Sequence, residues 1–293
     1  MDLGEKAKGA PGEGEPRGRR PGRTGRNLPV AAAMGVAMAG TALLTLFTVK
    51  ATFLVYMAGA VALALWELDH ALRPREIRVP LVPVAVGGAA TWVCAYWFGG
   101  RPALAALVLA AVAVLAWRLP GGAVGYLRDV TAGIFALAYL PLMAAFVALM
   151  LAAPDGTKRC LTYVILTVAS DIGGYFAGIL FGKHQLAPVI SPKKTWEGLG
   201  GSALACLTAG MILLPVLLGG HLWQGVIAGG AALGAATLGD LIESMIKRDL
   251  GIKDMGSVLP GHGGVLDRID SLLLNAPVVW LVLLIFIPVG GGS

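Results

Sequence analysis

The sequence predicts an all-α fold: a polytopic integral membrane protein of about nine transmembrane helices, with its N-terminus in the cytoplasm. Three observations lead there. The 293 residues are 57% hydrophobic and only 14% charged, with a mean hydropathy of +0.76, whereas a soluble domain carries about 25% charged residues. Apolar runs of about 20 residues, long enough to cross a bilayer core as helices, recur almost to the C-terminus. The 23 Lys and Arg residues gather in alternate loops, the bias that marks the cytoplasmic side. A soluble enzyme, a disordered chain and a disulfide-stapled secreted domain are thereby excluded.

Taken in order, residues 1–27 are rich in Gly, Pro and charge and read as a disordered basic cytoplasmic tail. Spans follow at roughly 28–47, 51–66, 79–98, 102–117 and 130–151, an N-terminal transmembrane region over 28–151. Four more, at roughly 160–181, 199–218, 222–242 and 271–289, make a C-terminal catalytic region over 152–293. The first span follows basic residues as a signal peptide would, but the many later spans make it a retained helix. With the tail in the cytoplasm, 19 of the 23 basic residues fall on that side and four on the other. Removing one span would put the later loops on the wrong side. Cys94, Cys160 and Cys206 are scattered in or beside apolar segments, so neither a disulfide framework nor a zinc site is indicated. The net charge is +6, but seven of the 23 Lys and Arg residues lie in the tail and no basic stretch is interleaved with aromatics, which suits anionic lipid headgroups and argues against nucleic acid.

Chemistry concentrates in the last third of the chain. Asp171 sits mid-segment, where a charge costs about 2.5–3.5 kcal/mol and needs a partner or a wet cavity. Gly174, Gly178 and Gly182 form a small-residue ladder for close helix approach, within the bundle or across a homodimer. Asp240, Glu243, Ser244 and Lys247, spaced by three and four, share one helical face. Asp267 and Asp270 do the same at the start of the last span. Carboxylates gathered at one membrane surface suit Mg²⁺, which takes one or two of them together with substrate phosphates. Gly261, His262, Gly263 and Gly264 make a loop whose backbone can approach an anion. Lys193, Lys194, Lys247, Arg248 and Lys253 supply cations for a polyphosphate. A Walker A loop is absent, because Gly178 to Lys183 has the wrong spacing and no following Ser or Thr. These residues indicate a site for metal and polyphosphate at the cytoplasmic face, suited to phosphoryl or nucleotidyl transfer to a lipid.

The stretch 244–270, S-M-I-K-R-D-L-G-I-K-D-M-G-S-V-L-P-G-H-G-G-V-L-D-R-I-D, resembles the signature of the phosphatidate cytidylyltransferase (CDP-diacylglycerol synthase) family. S-P-K-K-T-W-E-G at 191–198 and S-D at 170–171 are similar to its other landmarks, in the same order. The likeness covers about 167–270; residues 28–150 share only multi-span character. It implies transfer of cytidylyl from CTP to phosphatidic acid, giving CDP-diacylglycerol and pyrophosphate with Mg²⁺, at the cytoplasmic face of the cell membrane. On that basis Asp240 and Asp267 are expected to hold the metal, with Asp171 and Asp270 close by. Lys247, Arg248 and the Gly263–Gly264 backbone would face the triphosphate, and His262 would donate to phosphate. Lys193, Lys194 and Arg268 would meet the lipid phosphate, with Ser191, Ser244 and Lys253 completing the substrate site. An ion-coupled transporter using Asp171 and Asp240 as a relay is the alternative; the lack of internal repeats weighs against it.

Overall fold

The computed structural model describes residues 28–258 and 263–288. These form an all-α membrane bundle: α1 (Leu28–Thr48), α2 (Lys50–Leu72), α3 (Leu81–Trp97), α4 (Gly100–Trp117), α5 (Tyr126–Leu137), α6 (Met143–Ala152), α7 (Gly156–Phe181), α8 (Trp196–Leu218), α9 (Leu222–Leu250) and α10 (Leu266–Phe286). Helices α5 and α6 are one rod joined by a π-helical stretch, Ala138–Leu142. Pro141 lies inside that stretch; it has no N–H to donate, and its ring displaces the regular hydrogen-bond ladder. The Pro141 carbonyl accepts from Trp92 Nε1 at 2.7 Å, and Gly88 leaves room for the proline ring.

Seven of the rods are long and apolar enough to cross a membrane; the apolar helices Ala33–Thr48 and Leu81–Trp97 are shorter. The α5–α6 rod is the most enclosed of the long ones, packing α3, α10 and α2 around it. Side chains such as Val108 and Ile179 point outward, as a lipid-facing surface requires once every helix satisfies its own backbone.

Three differences from the sequence expectation bear on the site. Helix α9 runs to Leu250, beyond the expected 242, because Asp240 with Ser244 and Glu243 with Lys247 bond at i,i+4 and carry the helix into the polar stretch. It stops at Gly251, whose φ of +71° is a left-handed C-cap. Helix α10 starts at Leu266, ahead of the expected 271, so most of the acidic residues of 243–270 are helical. The stretch 182–198, expected as a loop, contains an antiparallel hairpin, β1 (Gln185–Ala187) and β2 (Ser191–Thr195).

The glycine ladder is used inside the chain. Gly174, Gly178 and Gly182 face Ser202, Gly198 and Thr195 at the start of α8, and neighbouring Gly173 opposes Gly201 backbone to backbone. A homodimer would therefore need another surface. A Cβ on Gly201 would collide with Ala177 and the Gly173 carbonyl, whereas one on Gly200 meets open space. Gly201→Leu should accordingly lower stability by about 1–3 kcal/mol, the cost of overpacking, and Gly200→Leu should leave it unchanged. Thermal unfolding of the purified protein in detergent measures both; equal melting of the two variants would contradict this interface.

Candidate active site

The site grows from the first turn of α10. The leading N–H groups of a helix have no partner within it, and at this end two carboxylates take them up. Glu67, fully buried on α2, accepts Val265 N–H and Leu266 N–H, one on each oxygen, at 2.9 Å. Asp267 Oδ2 accepts Gly264 N–H and Met255 N–H, also at 2.9 Å. Negative charge at a helix N-terminus is favourable in itself. Any side chain on Gly256 or Gly264 would strike Glu67, so those two positions have room only for glycine. Gly263 adopts φ +83° beside Asp254 and Asp267, a conformation that costs glycine little.

Around this turn the acidic and basic residues interlock. Lys247 donates to Asp267 Oδ1 at 2.8 Å and to Glu243 Oε2. Glu243 is fully buried, and its Oε1 has no hydrogen-bond partner. One turn earlier on α9, Asp240 Oδ2 pairs with Lys194 of β2 at 2.7 Å, and its Oδ1 accepts from Ser244 at 3.3 Å. Gly239 packs directly on the backbone of Asp270 and Ser271, drawing α9 and α10 together. Ser271 in turn donates its hydroxyl to Asp171 Oδ2 at 3.3 Å and its N–H to Asp270 Oδ1 at 2.7 Å. Asp171, Asp240, Glu243, Asp267 and Asp270 are thus one cluster, graded from buried Glu243 to exposed Asp171. The buried Tyr139 hydroxyl, also without a partner, lies within Coulombic reach of Asp240, Glu243 and Asp270.

The hairpin forms an arm over the cluster. Glu197 accepts the N–H groups of Lys183 and His184 and pairs with the His184 ring at 2.6 Å. Thr195 caps α8 through Gly198 N–H. Arg248 Nε reaches the Ile190 carbonyl at 3.2 Å, so the hairpin tip is tied to α9. Lys193 is exposed on β2 next to Lys194, and Ser191 stands opposite Ala187. Lys253 is exposed beyond the end of α9, and Arg268 is exposed between Asp267 and Asp270. His262 lies outside the described residues.

Of the residues singled out from sequence, Asp171, Asp240, Ser244, Lys194, Lys247, Asp267 and Asp270 therefore meet in one network. The Gly264 N–H, expected to face a triphosphate, is engaged with Asp267 instead. Sequence reasoning missed Glu67. Its sequence signal is an acid in the apolar run A-L-W-E-L-D-H-A-L, just beyond the expected end of the second span at 66. Lys194, placed with the lipid phosphate, turns out to sit on Asp240.

Five carboxylates face two lysine ammoniums here, an excess of negative charge that invites a cation. No three of His, Cys, Asp and Glu form a ready-made metal cage among the described residues. The donor set instead fits Mg²⁺ arriving with phosphate oxygens and needing one or two carboxylates from the protein. Lys194 on Asp240 and Lys247 on Asp267 sit where such a cation would compete.

A model of the cytidylyltransferase family matches residues 30–286. The phosphatidate cytidylyltransferase of Mycobacterium leprae is 40% identical over 277 residues, 89% of each chain. That of Mycobacterium bovis is 37% identical over 304 residues, covering 97% of this chain and 99% of the relative. A Mycobacterium tuberculosis protein of the same name is 39% identical, covering 89% of this chain and 84% of its own.

Proposed function

The chain belongs to the cytidylyltransferase family, and from that premise we propose that it is a phosphatidate cytidylyltransferase, joining CTP and phosphatidic acid into CDP-diacylglycerol with release of pyrophosphate. The observation that carries the chemistry is the cluster of Asp171, Asp240, Asp267 and Asp270 with Lys194 and Lys247. The transporter alternative is set aside, because relatives matched over nearly the whole chain carry the transferase name.

A phosphatidate phosphate oxygen attacks the α-phosphorus of CTP; the new P–O bond forms as the bond from α-phosphorus to the β-bridging oxygen breaks. Phosphatidate is already anionic at neutral pH, so no general base is required of the protein. Its tasks are to align two polyanions and to neutralise charge that builds on the departing pyrophosphate. Lys247 and Arg248 on α9 face the triphosphate, together with His262. Lys193 on the hairpin and Arg268 on α10 meet the lipid phosphate, within reach of the bilayer that holds the acyl chains. Asp240 and Asp267 would hold Mg²⁺, with Asp171 and Asp270 close by. That ion supplies Lewis-acid stabilisation of phosphoryl oxygens. Lys194 and Lys247 hold the Asp240 and Asp267 carboxylates in place and present their remaining ammonium N–H groups to phosphate oxygens.

The site faces the cytoplasm, the side to which the positive-inside bias assigns Lys193, Lys194, Lys247 and Arg268, and the protein resides in the cell membrane. Purified protein in detergent, given CTP, dioleoyl phosphatidate and Mg²⁺, should release pyrophosphate, and removal of either substrate should stop it. Chelation by EDTA should abolish turnover, with recovery on adding Mg²⁺. No pyrophosphate under complete conditions would overturn the function; release undiminished by EDTA would overturn the metal.

A further inference from the structure

A second charged centre lies outside the carboxylate cluster and shares no residue with it. Two short connections build it. Residues 73–80 (R-P-R-E-I-R-V-P) leave α2 through a 3-10 turn, Arg73–Arg75, and residues 118–125 lead from α4 into α5. Folding brings Arg73, Arg78, Arg118 and Arg128 around one pocket of about 710 Å³ with Asp69, Asp129 and Glu76. The pocket opens on the same end of the bundle as the cluster, since Arg75 donates to the Asp249 carbonyl at the end of α9.

The two aspartates are spent on building the pocket. Asp69, buried, holds Arg73 at 2.7 Å and accepts Val79 N–H at 3.2 Å. Asp129, 1% exposed, holds Arg118 at 2.8 Å and accepts Arg78 N–H at 3.1 Å. Glu76 is exposed, takes a left-handed φ of +59°, and reaches Arg128 only at 3.7 Å. The Arg78 guanidinium has no carboxylate within ion-pair distance among the described residues. Buried acids thus orient a fork of arginines, and cationic capacity is left over toward the opening. Guanidinium groups so placed match phosphate oxygens.

An adjoining groove shows what carries the phosphate. Arg128 is shared with a second depression lined by Leu72, Ile77, Tyr126, Leu127 and Phe135. An arginine pocket opening beside an apolar groove at the end of membrane helices complements an amphiphile, with charge at one end and hydrocarbon at the other. We propose that this is a binding site for an acidic phospholipid, its phosphate held by Arg78 and Arg128 and an acyl chain lying along Ile77 and Phe135. A soluble phosphate would have no use for the groove.

Native mass spectrometry of the full-length protein, released from mixed micelles of dioleoyl phosphatidylglycerol and dioleoyl phosphatidylcholine, tests the site. Retention of phosphatidylglycerol should exceed that of phosphatidylcholine and fall about tenfold in R78Q/R128Q. Phosphatidylcholine retention should not change. Arg78→Gln alone removes no ion pair and should already lower phosphatidylglycerol retention, which separates loss of binding from loss of fold. Neither millimolar inorganic phosphate nor CTP should displace the lipid. Equal phosphatidylglycerol retention by wild type and both variants would overturn the site. Displacement by phosphate or CTP would also overturn it, by making it a soluble-anion site. Because the readout is lipid retention, its failure leaves the transferase reading untouched, and loss of pyrophosphate release would leave this site untouched.

Discussion

Asp240→Asn should reduce CTP turnover by about 100-fold or more, while the purified protein melts close to wild type. The size follows from the metal-holding role proposed for Asp240, since loss of one well-placed electrostatic group costs about 10²–10³ in rate, roughly 2.7–4 kcal/mol. The small effect on folding follows from the neighbours. Asp240 is only partly buried, and its partners Lys194 and Ser244 are both within reach of solvent. Asp267→Asn should cost as much activity and more stability, because its carboxylate also anchors Lys247, Met255 N–H and Gly264 N–H. Pyrophosphate release and thermal melting, measured side by side, separate the two contributions. Near-normal turnover in either variant would remove that residue from the metal site.

Glu67→Ala carries the second large effect, and it is first an effect on folding. Truncation leaves Val265 N–H and Leu266 N–H buried without acceptors, each costing about 1–3 kcal/mol, and opens a void between Gly256 and Gly264. A net loss of about 2–4 kcal/mol is expected, within the range for a lost cap plus an unsatisfied donor. Glu67→Gln keeps one carbonyl acceptor and turns an amide NH₂ toward the other N–H, so its loss should be smaller. Activity should fall with stability in Glu67→Ala, since the same turn aims Asp267. Melting of Glu67→Ala at the wild-type temperature would show that α10 is capped by other means.

The contrast between these acids shows where sequence reading reaches its range. Asp240, Glu243, Ser244 and Lys247 could be placed on one face because a helix repeats every three to four residues, and their i,i+4 bonds are present. Hydropathy falls at the first charges and so ends both α9 and α10 too early, although charges extend α9 by pairing along it and Glu67 takes up the leading N–H groups of α10. Short β strands within 182–198 carried no alternation strong enough to read. Glu67 stands out in its apolar run, but its role does not, because its partners lie 198 and 199 positions away.

Membrane residence, the all-α class, the alternation of basic loops and the identity of the charged motifs were determined by the sequence alone. Each depends on local sums: apolar length against bilayer thickness, helical spacing, and the count of cations per loop. Tertiary structure decided which charges meet. It put Lys194 of the hairpin on Asp240, Asp171 beside Asp270 through Ser271, and Glu67 under the first turn of α10. It also joined arginines from two separate connections into a pocket with no counterpart in any single stretch of chain. In a medium that penalises every unpaired charge, those partners are set by how helices pack, and packing is a property of the whole chain.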